Sequence, residues 1–193
     1  MNENEKMNKT AEKENGLTAM VFDVVSVLVT TFVAVAIVFI FGLRTIGVDG
    51  GSMNPTLNSG DRIIISAFEF TPEYGDIVVT CQPSKSPLIE DILIKRVIAT
   101  EGQVVDIDFN TGVVYVDGKA LDEPYTAEPT YDRESFIGPV EIPEGYVFVM
   151  GDNRNNSTDS RDYRVGLIKE EYIMGKAVLR TSPFTWLYNN IDE

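Results

Sequence analysis

No histidine occurs anywhere in the 193 residues. That excludes a Ser-His-Asp triad and a Cys-His pair outright, since both need an imidazole to take the nucleophile's proton. Cysteine is almost as scarce. Cys81 stands alone, so no internal disulfide can form, and one thiol without histidine leaves no zinc-type ligand set. Its apolar surroundings, "DIVVTCQP", favour a buried structural thiol over a reactive one. Positive charge is thin: 16 Lys and Arg against 30 Asp and Glu give a formal net charge of −14. A nucleic-acid partner needs a basic face and is excluded; the acidic surplus reads as a solvated surface. Internal repeats and low-complexity blocks are missing, and so is helical periodicity outside one segment.

That segment is "VVSVLVTTFVAVAIVFIFGL", Val24 to Leu43, 20 residues without a charge. At 1.5 Å per residue it matches the hydrocarbon thickness of a bilayer. It is apolar on every face, unlike a core helix, and longer than the apolar part of a secretory signal. The expectation is a transmembrane helix over 17–44, preceded by a polar, disordered tail over 1–16. Lys6, Lys9 and Lys13 precede the span and only Arg44 follows closely, which places the tail in the cytoplasm and the bulk outside.

Beyond the span, short β-rich runs alternate with turn signals: "DRIIISAF", "GDIVVTC", "DILIKRVIA", "GQVVDIDF", "GVVYVDG", "GYVFVMG" and "KAVLRT". Asn110-Thr111-Gly112, Asp117-Gly118 and Pro143-Glu144-Gly145 suit hairpins. The fold expected is mainly β, an antiparallel barrel or sandwich. Residues 119–143, rich in Pro, Glu and Tyr, read as a loop-rich elaboration.

Two polar clusters stand out, "VDGGSMNPTL" from Val48 and "GDNRNNSTDSRD" from Gly151. Without histidine, a serine can still be activated by a lysine held neutral in apolar surroundings. Lys95 and Arg96 interrupt the apolar run "DILIKRVIAT"; strand alternation puts Lys95 with Leu93 and Val97, and Arg96 opposite. Taken alone, the segment is better explained as an edge strand carrying two solvated charges. Gly50 and Gly51, with Met53 beyond Ser52, leave room for an extended substrate backbone, and the Ser52 N–H can serve an oxyanion hole. A glycine-rich turn leaving the membrane explains that stretch too.

Taken in order, "GGSMNPTL", "GDRIIISAF", "YGDIVVT", "IKRVIATEGQ" and "GDNRNNSTDSRDYRVG" resemble the boxes of bacterial type I signal peptidases, membrane-bound serine-lysine proteases. The resemblance implies Ser52 as nucleophile, Lys95 as general base and Ser157 as the hydroxyl that orients the lysine. It gives supporting roles to Gly151, Asp152, Asn153, Asp159, Ser160 and Arg161. It implies a catalytic β domain over 45–103 and 144–185, with an inserted cap lobe over 104–143. The substrates implied are signal-peptide-bearing preproteins, with small residues first and third before the cut. Partners would be the lipid bilayer and the secretion machinery, the location a bacterial cell membrane, with no metal and no cofactor. Two positions depart from the pattern: Gly50 replaces a serine that in some members assists the oxyanion hole, and Arg164 replaces a glycine. Two rivals remain: a self-cleaving repressor, opposed by the span and the negative charge, and a non-catalytic surface module that binds peptides.

Overall fold

A computed structural model describes residues 3–68, 70–83 and 92–187. The chain divides into two units, Met1–Gly42 and Leu43–Glu193. The first is a single helix, α1 (Glu3–Gly42). Its stretch Thr18–Ile37 is long and apolar enough to cross a membrane. Phe22, Phe32 and Phe39 are exposed along it, as suits a helix surrounded by lipid. Two expectations change here. Residues 3–16 are helical rather than disordered: Ala, Glu, Lys and Met are strong helix formers, and the span offers a nucleated helix to extend. The helix also stops at Gly42 rather than residue 44, because Leu43–Gly47, with Thr45 and Ile46, pairs as a strand.

The second unit is mainly antiparallel β, as expected, with one short 3-10 turn at Glu170–Tyr172. Its strands are β1 (Leu43–Gly47), β2 (Arg62–Ser66), β3 (Ile77–Cys81), β4 (Ile92–Ala99), β5 (Val104–Asp108), β6 (Val113–Val116), β7 (Lys119–Ala120), β8 (Val140–Glu141), β9 (Tyr146–Met150), β10 (Ile168–Lys169), β11 (Ile173–Thr181) and β12 (Phe184–Trp186). The larger sheet runs β1-β2-β11-β3-β4-β9-β10, with β12 also on β11. Register shifts in β11, at Ile173/Gly175 and at Ala177/Leu179, bend the sheet as bulges do.

β4 is therefore central, with β3 on one side and β9 on the other. The edge-strand reading of Lys95 and Arg96 fails: both are buried, at 3% and 2% exposure. Apolar clusters cover both faces here. Leu93 and Val97 pack with Val78 and Val149, while Ile94 packs with Met53, Leu57, Ile63, Ile65 and Val79. Two adjacent buried charges on one strand must each find a partner across the fold. Cys81 is exposed rather than buried. It closes β3, opposite the half-exposed Ile92, where the covering clusters have run out.

Residues 104–143 form a smaller sheet, β7-β6-β5-β8. Asn110-Thr111-Gly112 and Asp117-Gly118 turn its hairpins. Pro143-Glu144-Gly145 makes a turn, with Tyr146 N–H donating to Pro143 O at 3.2 Å, but closes no hairpin. β8 pairs with β5 and β9 with β4, so this turn carries the chain from one sheet to the other. Ile98, Ala99, Phe148 and Met150 of the larger sheet share one core with Val105, Ile107, Val114, Phe136 and Ile142. The Phe136 ring meets those of Phe109 and Phe148 edge-on, both at 5.9 Å.

Candidate active site

Ser52 sits in the loop joining β1 to β2. Backbone bonds close the base of that loop, Val48 N–H to Asp61 O and Gly60 N–H to Val48 O, both 2.9 Å. Met53 and Leu57 are buried in the core beneath it, each contributing about 1.5–3 kcal/mol by area. Gly50 has φ +81°, a left-handed conformation that a serine would adopt only under strain. The departure at this position is thus matched by the backbone.

The Gly-Asp-Asn turn after β9 grips the loop from outside the cleft. Asn153 N–H donates to Ser52 O and Asn153 Nδ2 to Gly51 O, both at 3.0 Å. Gly151 is required by close approach: a Cβ there would lie 2.2 Å from Ser157 Oγ and 2.4 Å from Ser52 O. The same contacts bring Ser157 against the serine loop.

Lys95 Nζ donates to Ser52 Oγ at 2.8 Å and to Ile94 O at 3.1 Å. Burial holds the Lys95 amine below the ordinary lysine pKa, opposed by the negative charges of Asp159 and Asp152. Each carboxylate is itself claimed by a buried guanidinium. Arg161 meets Asp159 through Nε and Nη2 at 2.9 and 2.8 Å. Arg96 meets Asp152 through Nε and Nη2 at 2.8 and 2.7 Å, donates to Gly75 O, and stacks 3.9 Å over the Tyr125 ring. The site is thus nearly balanced in charge around an amine that burial disfavours as a cation. Burial first, then the carboxyl groups of Asp162 and Asp159, push Glu134 up to about 8.

A cleft of about 160 Å³ opens on these atoms, lined by Ile46, Gly50, Ser52, Met53, Ile94 and Lys95 among others. β1 contributes one wall and β4 the other, although three strands separate them in the sheet, so the sheet curls round the site. β9 pairs with β4 only from Arg96 onward. Among the described residues, the edge of β4 over Ile92–Lys95 on that side has no strand beside it.

A profile described as signal peptidase, peptidase S26, matches residues 21–182. The chain belongs to that family. Among its relatives, the probable signal peptidase I-1 of Synechocystis is 40% identical over 139 residues, covering 68% of this chain and 67% of the relative. Signal peptidase I of Bacillus licheniformis is 32% identical over 185 residues, covering 91% and 96%. A solved signal peptidase I from Enterococcus faecalis is 26% identical, covering 55% of this chain and 97% of that one, with a TM-score of 0.43.

In this signal peptidase family member, the residues singled out from the sequence lie together, with one bond rearranged. Ser157 Oγ donates to Asp159 Oδ2 at 2.8 Å, and among the described residues no hydrogen bond joins it to Lys95. A carboxylate is the stronger acceptor, and it lies only two residues away. Ser160 locks the far side of the loop to β9: its N–H donates to Val149 O at 3.1 Å and its Oγ accepts from Val149 N–H at 3.0 Å. Arg164 donates to the Asp162 carboxylate through Nε and Nη2. Four residues were not assigned from sequence: Arg96, Arg154, Glu123 and Tyr125. Arg154 donates to Gly151 O at 3.0 Å and forks onto Glu123 at 2.7 Å. An arginine following Lys95 in an apolar run was the available signal for Arg96. Its partner lies 56 residues away, beyond any local pattern.

Proposed function

We propose that this chain is a membrane-anchored endopeptidase that cleaves signal peptides from exported preproteins, with Ser52 as nucleophile and neutral Lys95 as general base. The observation that carries the reading is the 2.8 Å contact between Lys95 Nζ and Ser52 Oγ, with the lysine buried. When Lys95 is neutral the same contact reverses, and the Ser52 hydroxyl donates to the amine lone pair. Ser52 Oγ then attacks the scissile carbonyl as its proton passes to Lys95 Nζ. The Ser52 N–H stabilises the oxyanion. Lys95 returns the proton to the departing amine, and water, deprotonated by the same lysine, hydrolyses the acyl-enzyme.

The substrate lies extended between β1 and the unpaired edge of β4 at Ile92–Lys95, held by main-chain hydrogen bonds. Small residues first and third before the cut suit a cleft narrowed by Ile46, Met53 and Ile94. Ser157 acts on Lys95 through the Asp159 carboxylate. Asp152, Asp159 and Arg161 hold the frame. α1 anchors the chain in a bacterial cell membrane, N-terminus inside and β unit outside, where the bilayer and the secretion machinery are its partners.

The test is incubation of the full chain with an exported precursor bearing its signal peptide. The unmodified chain is expected to release the mature protein, Ser52→Ala to release none, and Ser157→Ala to retain weakened activity because Ser157 transfers no proton. Wild-type turnover by Ser52→Ala contradicts the reading.

A further inference from the structure

Nothing within the Gly51–Ser52 peptide fixes its plane, because two glycines precede Ser52 and one of them, Gly50, is left-handed. The plane is fixed from outside. The Gly51 carbonyl accepts from Asn153 Nδ2 at 3.0 Å and from Asn54 N–H at 3.2 Å, and the following carbonyl, that of Ser52, accepts from Asn153 N–H at 3.0 Å. In a trans peptide the carbonyl and the N–H point in opposite directions. Gly50 and Ser52 line the cleft, and Asn153 does not. With its carbonyl turned to Asn153, the peptide presents the Ser52 N–H to the other side. Among the described residues that N–H makes no hydrogen bond.

We infer that Asn153 is a positioning residue that sets the Gly51–Ser52 peptide plane and so aims the Ser52 N–H at the oxygen of the scissile carbonyl. This rests on Ser52 being the nucleophile. Gly50 brings no hydroxyl to the oxyanion, so the hole depends on the orientation of this backbone donor. A flipped peptide would present a carbonyl oxygen, repelling the developing charge, where the N–H should be.

The test uses the full chain with Asn153→Asp and Asn153→Ala. Aspartate keeps the size of the side chain but sets a carboxylate oxygen against the Gly51 carbonyl, which favours the flip. Both variants are expected to lose about 10²–10³-fold in kcat on a precursor, the effect of removing one oxyanion donor, with KM within about threefold. A peptide aldehyde carrying the sequence before the cut adds the Ser52 O–H across its carbonyl to give a hemiacetal. Its affinity should fall by a similar factor, while the matching peptide alcohol binds as before. Unchanged kcat, or equal losses for aldehyde and alcohol, overturns the inference. Should both variants fail to fold, Asn153→Gly is read in their place: it keeps the backbone N–H bond to Ser52 O and removes only the Nδ2 donor to Gly51 O, and an undiminished kcat in it rejects the role. Cleavage by Ser52→Ala would overturn the nucleophile itself; an inactive Ser52→Ala beside a fully active Asn153→Asp overturns only this inference.

Discussion

Lys95→Met is expected to lose cleavage by roughly 10²–10⁴-fold or more, the contribution of a general base, while resisting denaturant at pH 7 at least as well as the unmodified chain. The two effects separate because the proposed mechanism needs the amine while burial disfavours its charged form. Burial lowers the folded-state pKa of Lys95, while an unfolded lysine titrates near 10.4. Below the folded pKa the lysine is protonated in both states, and folding bears the full desolvation cost. Between the two values the unfolded chain binds more protons, so stability rises with pH through that window. Methionine keeps the apolar stem and removes the titration. The advantage of the variant should be greatest at low pH and shrink towards about pH 10. Denaturant midpoints of both chains across that range, beside the precursor assay, check it. An active Lys95→Met, or one strongly destabilised at pH 7, contradicts the assignment.

Asp152→Ala should have the largest effect on stability. Arg96 and Asp152 are 2% and 0% exposed, so removing the carboxylate strands a guanidinium in the core beside Lys95. Breaking such a pair costs roughly 3–5 kcal/mol, whereas replacing both partners together is far less damaging. Urea midpoints should therefore place Arg96→Met/Asp152→Ala above Asp152→Ala alone. A loss below about 1 kcal/mol, the range of a surface pair, would mean that this pair does not hold the Gly-Asp-Asn turn to β4.

The strands with strong alternation or long apolar runs were legible from sequence. "DRIIISAF", "GDIVVTC", "DILIKRVIA" and "GYVFVMG" became β2, β3, β4 and β9. β1 was not, because Leu43 and Arg44 follow directly on an apolar helix and read as its end, which leaves too short a remainder to read as a strand. The two-residue strands β7, β8 and β10 are too short for periodicity to register. Ser52 and Lys95 were nameable because missing histidine left few bases, and because the ordered boxes resemble a family. Their 2.8 Å contact was not nameable, since it spans 43 residues. The Ser157 Oγ bond to Asp159, two residues on, has no signature in the sequence pattern. The exposure of Cys81 is not legible because apolar neighbours in sequence do not reveal where a strand leaves its cover.

The central claim is that Ser52, activated by Lys95, becomes acylated by the segment before the cut. Acid quench of the full chain within the first turnovers on a precursor, followed by proteolysis and mass spectrometry, reads this directly. The expected result is a peptide containing Ser52 heavier by the acyl mass of the signal peptide, absent in Ser52→Ala and strongly reduced in Lys95→Met. Cleavage with the acyl mass on another residue, or undiminished cleavage by Ser52→Ala, would contradict it.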